Sequence, residues 1–249
     1  MGKYLLFFLF FFSNVGWCST KYVINLTKDE VVIDSGSQII RPIASVTKLM
    51  TALVILDSEF NLDEKVPYKG LFKKEMSRNE LLSLMLVKSD NKAAEALASS
   101  LPGGRNLFIA EMNIKAISIG MKNTHYDDPS GLSAGNTSTA KDQALLLNHS
   151  YDYFKMRDIA STISYELPVQ SKNKRKVTER LVTITNTNHN LLTEYREIII
   201  SKTGTTSAAG KCLAMLVNHN GERYAVVILG EKNRKTIEEL SRKIFKTFL

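Results

Sequence analysis

Ser45 and Lys48 stand three residues apart where an apolar helical pattern begins, and no other feature constrains this chain as much. Val46, Leu49, Met50, Leu53, Val54 and Leu56 recur at three- and four-residue steps, the mark of a buried helix. A serine and a lysine at the start of such a helix share one of its faces. Two more short motifs follow in order, Ser89-Asp90-Asn91 and Lys202-Thr203-Gly204. Each alone is weak, but all three in this order describe a machine for acyl transfer.

The chemistry explains why these residue types belong together. A serine hydroxyl is a poor nucleophile near neutral pH and needs a base within hydrogen-bond reach. Lysine is no base at its free pKa of about 10.4, but burial beside a second cation lowers that value. Lys202 is the candidate second cation. Free N–H groups at the start of a helix also favour an oxyanion developing near Ser45. A plain helix cap would account for Ser45 alone; with the other motifs present, the nucleophile is the better reading.

Ser89 and Asn91 are expected on one face of a short turn, with Asp90 pointing away. Ser89 can relay a proton between Lys48 or Lys202 and a leaving amine, and Asn91 can hold a substrate carbonyl. The plain alternative is a polar, helix-breaking turn. Lys202-Thr203-Gly204 follows the apolar run Ile198-Ile199-Ile200 and so ends or continues a strand. A strand edge can pair with an extended peptide. Lys202 and Thr203 would grip a carboxylate there, while Gly204 leaves room for close approach. The four histidines show no metal-ligand spacing, so no metal and no cofactor is expected. His189, nearest the active strand in sequence, is the one to watch.

The remaining sequence sets the surroundings. Lys3, then Leu5 to Phe12, then Ser13-Asn14 has the basic start, short apolar run and polar exit of a signal peptide, assigned to residues 1–19. Trp17 before Cys18 argues against a lipid anchor at that cysteine. Residues 20–249 then form one catalytic domain, with Cys212 left as a lone, buried strand cysteine. A formal net charge of +8 fits a solvated cationic surface or attraction to an anionic polymer. Nucleic acid is not expected, because no recognised nucleic-acid motif is present. Lys172, Lys174, Arg175 and Lys176 read as a solvated hairpin tip.

Strand patterns at Tyr22–Leu26 and Val31–Asp34 form a hairpin. Helices are expected from a capping box at Ser77, from Lys92 to Leu101, from Leu107 to Ile119 and from Thr139 to Asn148. Strands then dominate until a closing helix from Thr236 to Phe248. Strands at both ends with helices between predict an α+β fold, in which one antiparallel sheet from the N- and C-terminal segments packs beside a helical lobe.

Longer stretches resemble one family. Arg41 to Ala52, Asp128-Pro129-Ser130-Gly131-Leu132, Asn186-Thr187-Asn188-His189 and Lys202 to Gly210 look like the low-molecular-mass penicillin-binding proteins, the D-alanyl-D-alanine peptidases. The last two segments are most similar to the endopeptidase branch. The resemblance implies the penicillin-binding/β-lactamase-like transpeptidase fold and a periplasmic serine peptidase of peptidoglycan stem peptides and cross-links. It also implies covalent capture by β-lactams. By motif match Ser45 is the nucleophile and Lys48 its base, while Ser89, Asn91 and Lys202 complete the site. The Ser45 and Thr205 backbone N–H groups would form the oxyanion hole.

Thr205 is smaller than its counterpart in many relatives, and the link from Val66 to Ser77 is short. The absence of a further C-terminal domain and amphipathic anchor after the last helix favours a soluble enzyme without a stable membrane anchor. A carboxypeptidase is the nearest rival reading. A serine β-lactamase is another, but no E-x-x-L-N segment follows Ser89. A non-catalytic peptidoglycan-binding or penicillin-sensing module would not need the nucleophile.

Overall fold

A computed structural model describes residues 19–70, 73–173 and 176–248. Residues 1–18 of the expected signal segment, Cys18 among them, and the hairpin-tip residues Lys174 and Arg175 lie outside them. Strands β1 (Thr20–Asn25) and β2 (Glu30–Ser35) form the expected N-terminal hairpin. The chain then passes through a two-residue strand β3 (Arg41–Pro42) and a tight 3₁₀ turn (Ala44–Thr47) into helix α1 (Lys48–Asp57). Ser45 therefore sits in the turn and not on the α-helix itself, one residue after Ala44, whose φ of 48° is left-handed. Eight of the ten α1 residues are buried, which makes it the central helix of the lobe.

A small ribbon of β4 (Lys65–Pro67) and β5 (Glu75–Ser77) leads to α2 (Arg78–Val87). Its start is the predicted capping box: the Ser77 hydroxyl accepts from Glu80 N–H, and the Glu80 carboxylate accepts from Ser77 N–H. Helices α3 (Asn91–Ser99), α4 (Gly104–Ser118), α5 (Ala140–Ser150) and α6 (Phe154–Ala160) complete the lobe, with β6 (Thr137–Ser138) pairing to β3. Helix α6 and the β4–β5 ribbon carry no sequence signal long enough to predict. A long hairpin, β7 (Ser164–Asn173) and β8 (Lys176–Thr185), stands apart from the main sheet. The short helix α7 (His189–Glu194) follows it.

The last strands are β9 (Ile198–Thr206), β10 (Gly210–His219) and β11 (Glu222–Glu231), closed by α8 (Arg234–Phe248). The main sheet has the order β2-β1-β11-β10-β9 and is antiparallel throughout. The N-terminal hairpin thus closes onto the C-terminal strand, as expected. β10 and β11 are buried along most of their length, because both faces of the sheet are covered. Ala214, Leu216, Ala225 and Val227 face the helical lobe, whereas Leu213, Met215, Val226 and Ile228 pack under α7 and α8. Cys212 is buried in β10, and burial pushes its thiol up to about 11, so it is inert. β9 is left as the edge strand, its K-T-G residues beside the nucleophile turn.

Candidate active site

The three motifs, far apart in sequence, converge between β9 and the lobe. Buried Lys48 donates from its Nζ to Ser45 Oγ at 2.9 Å, Asn91 Oδ1 at 2.7 Å and the Ser130 carbonyl at 2.5 Å. Across the cleft, buried Lys202 donates to Ser89 Oγ and to the Thr203 carbonyl, each at 2.9 Å. Ser45, Ser89 and Asn91 remain half-exposed, so a hydroxyl, a second hydroxyl and an amide face the cleft while the two lysines lie beneath.

Local backbone geometry makes this possible. Ser89 has φ 64°, a left-handed conformation at the end of α2 where glycine is usual. Asp90 then caps α3 by accepting from Ala93 N–H at 2.7 Å. Asp90 is therefore turned away to a structural task, as expected, leaving Ser89 and Asn91 for the cleft. Glycine at 204 is required by proximity: a Cβ there would lie 2.8 Å from the Ile43 carbonyl oxygen and 3.1 Å from Ser45 N. The K-T-G strand and the nucleophile turn are in direct backbone contact.

Burial pushes Lys48 down to about 7, against the opposing pull of Asp128, Asp90 and Glu95. Burial is the leading cause, and the repulsion between this lysine and the expected second cation, Lys202, acts in the same direction. Lys202 is itself driven well below its ordinary value, first by burial and then by the charges of Lys48 and Arg234. Both amines are thus biased toward the neutral form by the dry site they share.

The sequence argument missed three contributors. Asp128 gathers the N–H groups of Ser130 and Gly131 on one oxygen and that of Ser133 on the other. Although burial raises its pKa, these bonds hold it below the ordinary carboxylate range. The loop they shape delivers the Ser130 carbonyl to Lys48 and the Pro129 carbonyl to Thr51 Oγ1. Its only signal was the family likeness of the D-P-S-G-L stretch. Thr187 is the second: its N–H donates to the Val87 carbonyl at 3.0 Å, and its hydroxyl accepts from Thr203 Oγ1 at 2.6 Å. The third is Arg234 at the start of α8, which donates to the Thr187 carbonyl. Thr187 thereby ties the end of α2, β9 and α8 together. Its neighbour His189 is exposed; its recorded hydrogen bond is to the Asn186 carbonyl, and it is not drawn into the site. Thr205 is exposed at the open edge beyond Gly204. Among the described residues no group of histidines, cysteines and carboxylates is placed to hold a metal ion.

The whole arrangement matches known proteins. Residues 18–233 match the family described as D-alanyl-D-alanine carboxypeptidase. A D-alanyl-D-alanine endopeptidase of Escherichia coli is 37% identical over 83% of this chain and 69% of that relative. A Pseudomonas aeruginosa protein of the same name is 37% identical over 80% of this chain and 67% of its own length. The crystal structure of the Streptomyces K15 DD-transpeptidase superposes with a TM-score of 0.82 at 25% identity, covering 91% of this chain and 94% of that one. Penicillin-binding protein D2 of Listeria monocytogenes in its ampicillin-bound form gives a TM-score of 0.79 at 26% identity, covering 91% and 95%.

Proposed function

The chain belongs to the D-alanyl-D-alanine carboxypeptidase family and is a serine D,D-peptidase; from that premise we propose that Ser45 is its nucleophile and that cross-links between peptidoglycan stem peptides are its preferred substrate. The observation that carries this reading is the coordination of Lys48. A neutral amine has two N–H groups and one lone pair. Asn91 Oδ1 and the Ser130 carbonyl are acceptors only, so they take both N–H groups. The lone pair is then left for the third neighbour, Ser45 Oγ, which can donate its proton to it. The surroundings that favour the neutral amine also aim its basic site.

On this reading the Ser45 oxygen attacks the D-alanyl carbonyl as its proton passes to Lys48. The carbonyl oxygen becomes an oxyanion held by the Ser45 and Thr205 backbone N–H groups. The C–N bond breaks as the leaving amine takes a proton through Ser89, which Lys202 hydrogen-bonds, and an ester on Ser45 remains. Water then attacks that ester by the reverse proton path, releasing the acid and restoring Ser45. Asn91, whose oxygen is engaged by Lys48, keeps its NH₂ for a substrate carbonyl. Lys202, Thr203 and Gly204 receive the carboxylate next to the scissile bond, and the open edge of β9 receives the extended peptide.

Preference for the cross-link is supported by the names of the more similar relatives, 32–37% identical, against carboxypeptidase names at 28%. Thr205 is small and exposed, which is compatible with a site open to a longer substrate. We further assign the first 19 residues to export and the enzyme to the periplasm, and we expect β-lactams to acylate Ser45. Two measurements test the reading. A labelled penicillin should map to Ser45 and vanish in Ser45→Ala; an adduct elsewhere refutes the nucleophile. Cross-linked dimeric muropeptide should be cut with a higher kcat/KM than a monomeric pentapeptide loses D-alanine. The opposite order would make it a carboxypeptidase.

A further inference from the structure

The segment Asn186-Thr187-Asn188 bonds to alternate residues of the edge strand. Asn188 Nδ2 donates to Ser201 Oγ at 2.7 Å, and the Thr187 hydroxyl meets that of Thr203 at 2.6 Å. Lys202 lies between them and points the other way, to Ser89. The segment itself is pinned. Asn186 and Asn188 are buried; Asn186 Nδ2 donates to the Thr162 carbonyl at 2.9 Å, and Asn186 Oδ1 accepts from Asn188 N–H at 2.8 Å. Thr187 N–H donates to the carbonyl of Val87, close before Ser89 in the chain. Thr187 therefore bridges the two walls of the cleft at the end where Lys202 meets Ser89.

Alternation along β9 would otherwise take Thr203 out of the cleft. Its ladder partner Leu213 packs under α7 and α8, whereas Ala214, the partner of Lys202, faces the helical lobe. Opposed residues of an antiparallel pair share a face, so the Thr203 side chain leaves the strand on the α7–α8 side. β9 is the edge strand, and Thr203 is only half-buried. The bond to Thr187, itself anchored on the lobe, draws the Thr203 hydroxyl to that open edge. Each hydroxyl of the pair has one proton and two lone pairs. Among the described residues the Thr187 hydroxyl has no hydrogen-bond partner except Thr203. In the free protein Thr203 donates to Thr187, so its proton is engaged. We infer that Thr187 is a positioning residue for the carboxylate clamp: when the anion next to the scissile bond arrives, Thr187 donates to Thr203 and frees the Thr203 proton for that carboxylate. The step rests on the proposed function, in which Lys202 and Thr203 receive the carboxylate. Both protons stay on their own oxygens, and only the hydroxyls rotate. A hydroxyl that accepts a hydrogen bond is the better donor, because linked hydrogen bonds polarise one another.

The test is the rate at which Ser45 is acylated by a penicillin and by its methyl ester, followed as mass gain of the intact protein. The ester keeps the β-lactam ring and lacks the anion. Thr187→Val keeps the branched shape and both backbone bonds but has no hydroxyl, whereas Thr187→Ser keeps the hydroxyl. Thr187→Val should acylate about three- to tenfold more slowly with the penicillin, the effect of one hydrogen bond between neutral groups. With the ester it should react at the parental rate, and Thr187→Ser should restore the rate with the penicillin. Added to Thr203→Val, Thr187→Val should cost nothing further. A merely structural Thr187 would lower both rates together. Equal losses on acid and ester, a parental rate with penicillin in Thr187→Val, or losses that add to those of Thr203→Val overturn the positioning role alone. A parent that does not distinguish the acid from its ester refutes the carboxylate clamp and this role with it.

Discussion

Gly131→Ala should silence the enzyme by displacing the nucleophile turn without touching a catalytic side chain. Gly131 has φ +84°, and a Cβ there would lie 1.9 Å from the Ala44 carbonyl oxygen and 2.9 Å from Ser45 N. Ordinary contact begins at 3.4 Å, so the loop or the turn must yield by roughly 1.5 Å, and misplacement by about 1 Å can cost ~10²-fold in rate. Neither partner is a side chain that can rotate away. The left-handed backbone adds about 1–2 kcal/mol for a residue with a Cβ. Gly221 separates the two effects, since it has φ +82° but nothing within 4 Å of a new Cβ. The second-order rate of labelled-penicillin acylation should fall at least about 10²-fold in Gly131→Ala. Gly221→Ala should lose only stability, about 2–4 °C in Tm per kcal/mol for a chain of this size. Gly131→Ala acylating at the parental rate would refute the close packing of loop and nucleophile.

Three further outcomes follow from the same geometry. Lys48→Arg should lose at least ~10²-fold in acylation rate despite keeping its charge, because guanidinium cannot give up a proton near neutral pH; an active variant would place the base elsewhere. The rate should rise as pH is raised through about 7, where Lys48 passes to its basic form, and fall below it; a rate that stays constant from about one unit below that value to about one unit above it would contradict the assignment. The penicilloyl ester should also be released slowly, as timed by loss of label. The carboxylates that act on Lys48 are already committed: Asp128 to backbone N–H groups, Asp90 to the α3 cap and Glu95 to Arg105. Rapid turnover would mean that a free base reaches the ester.

What could be read from the sequence was whatever has a short period or a local rule. The capping box at Ser77, the continuous apolar runs of β10 and β11 and the three motifs all belong to that class, while the closure of the sheet by the two ends of the chain followed from the order of the elements. What could not be read depends on contacts between distant segments. No local pattern says that Ser130 would present its carbonyl to Lys48, 82 residues away, or that Thr187 and not His189 would meet the K-T-G strand. The placement of Ser45 in a 3₁₀ turn ahead of α1 also escapes periodicity, because the apolar pattern continues through it. The weight of burial in the lowered pKa of Lys48 escapes for the same reason: burial depends on the whole lobe, whereas charge partners are visible as letters.

The two lysines acquire different tasks from their neighbours. Lys48 touches acceptors that keep its lone pair on Ser45, while Lys202 touches Ser89 and its own strand. Two ammonium groups in one dry site oppose each other, so a proton held by one disfavours a proton on the other. In the free protein burial lowers both. On the proposed roles a substrate arrives with a carboxylate at Lys202 and Thr203, and that negative charge favours a charged Lys202. A charged Lys202 in turn favours a neutral Lys48. Binding of the correct anion therefore assigns the proton to the clamp and leaves the base free, at the moment when the carbonyl reaches Ser45. Environments that set chemically identical groups apart are the usual way one site obtains both an acid and a base at one pH. Here the substrate completes the separation, which ties the choice of ligand to the readiness of the nucleophile.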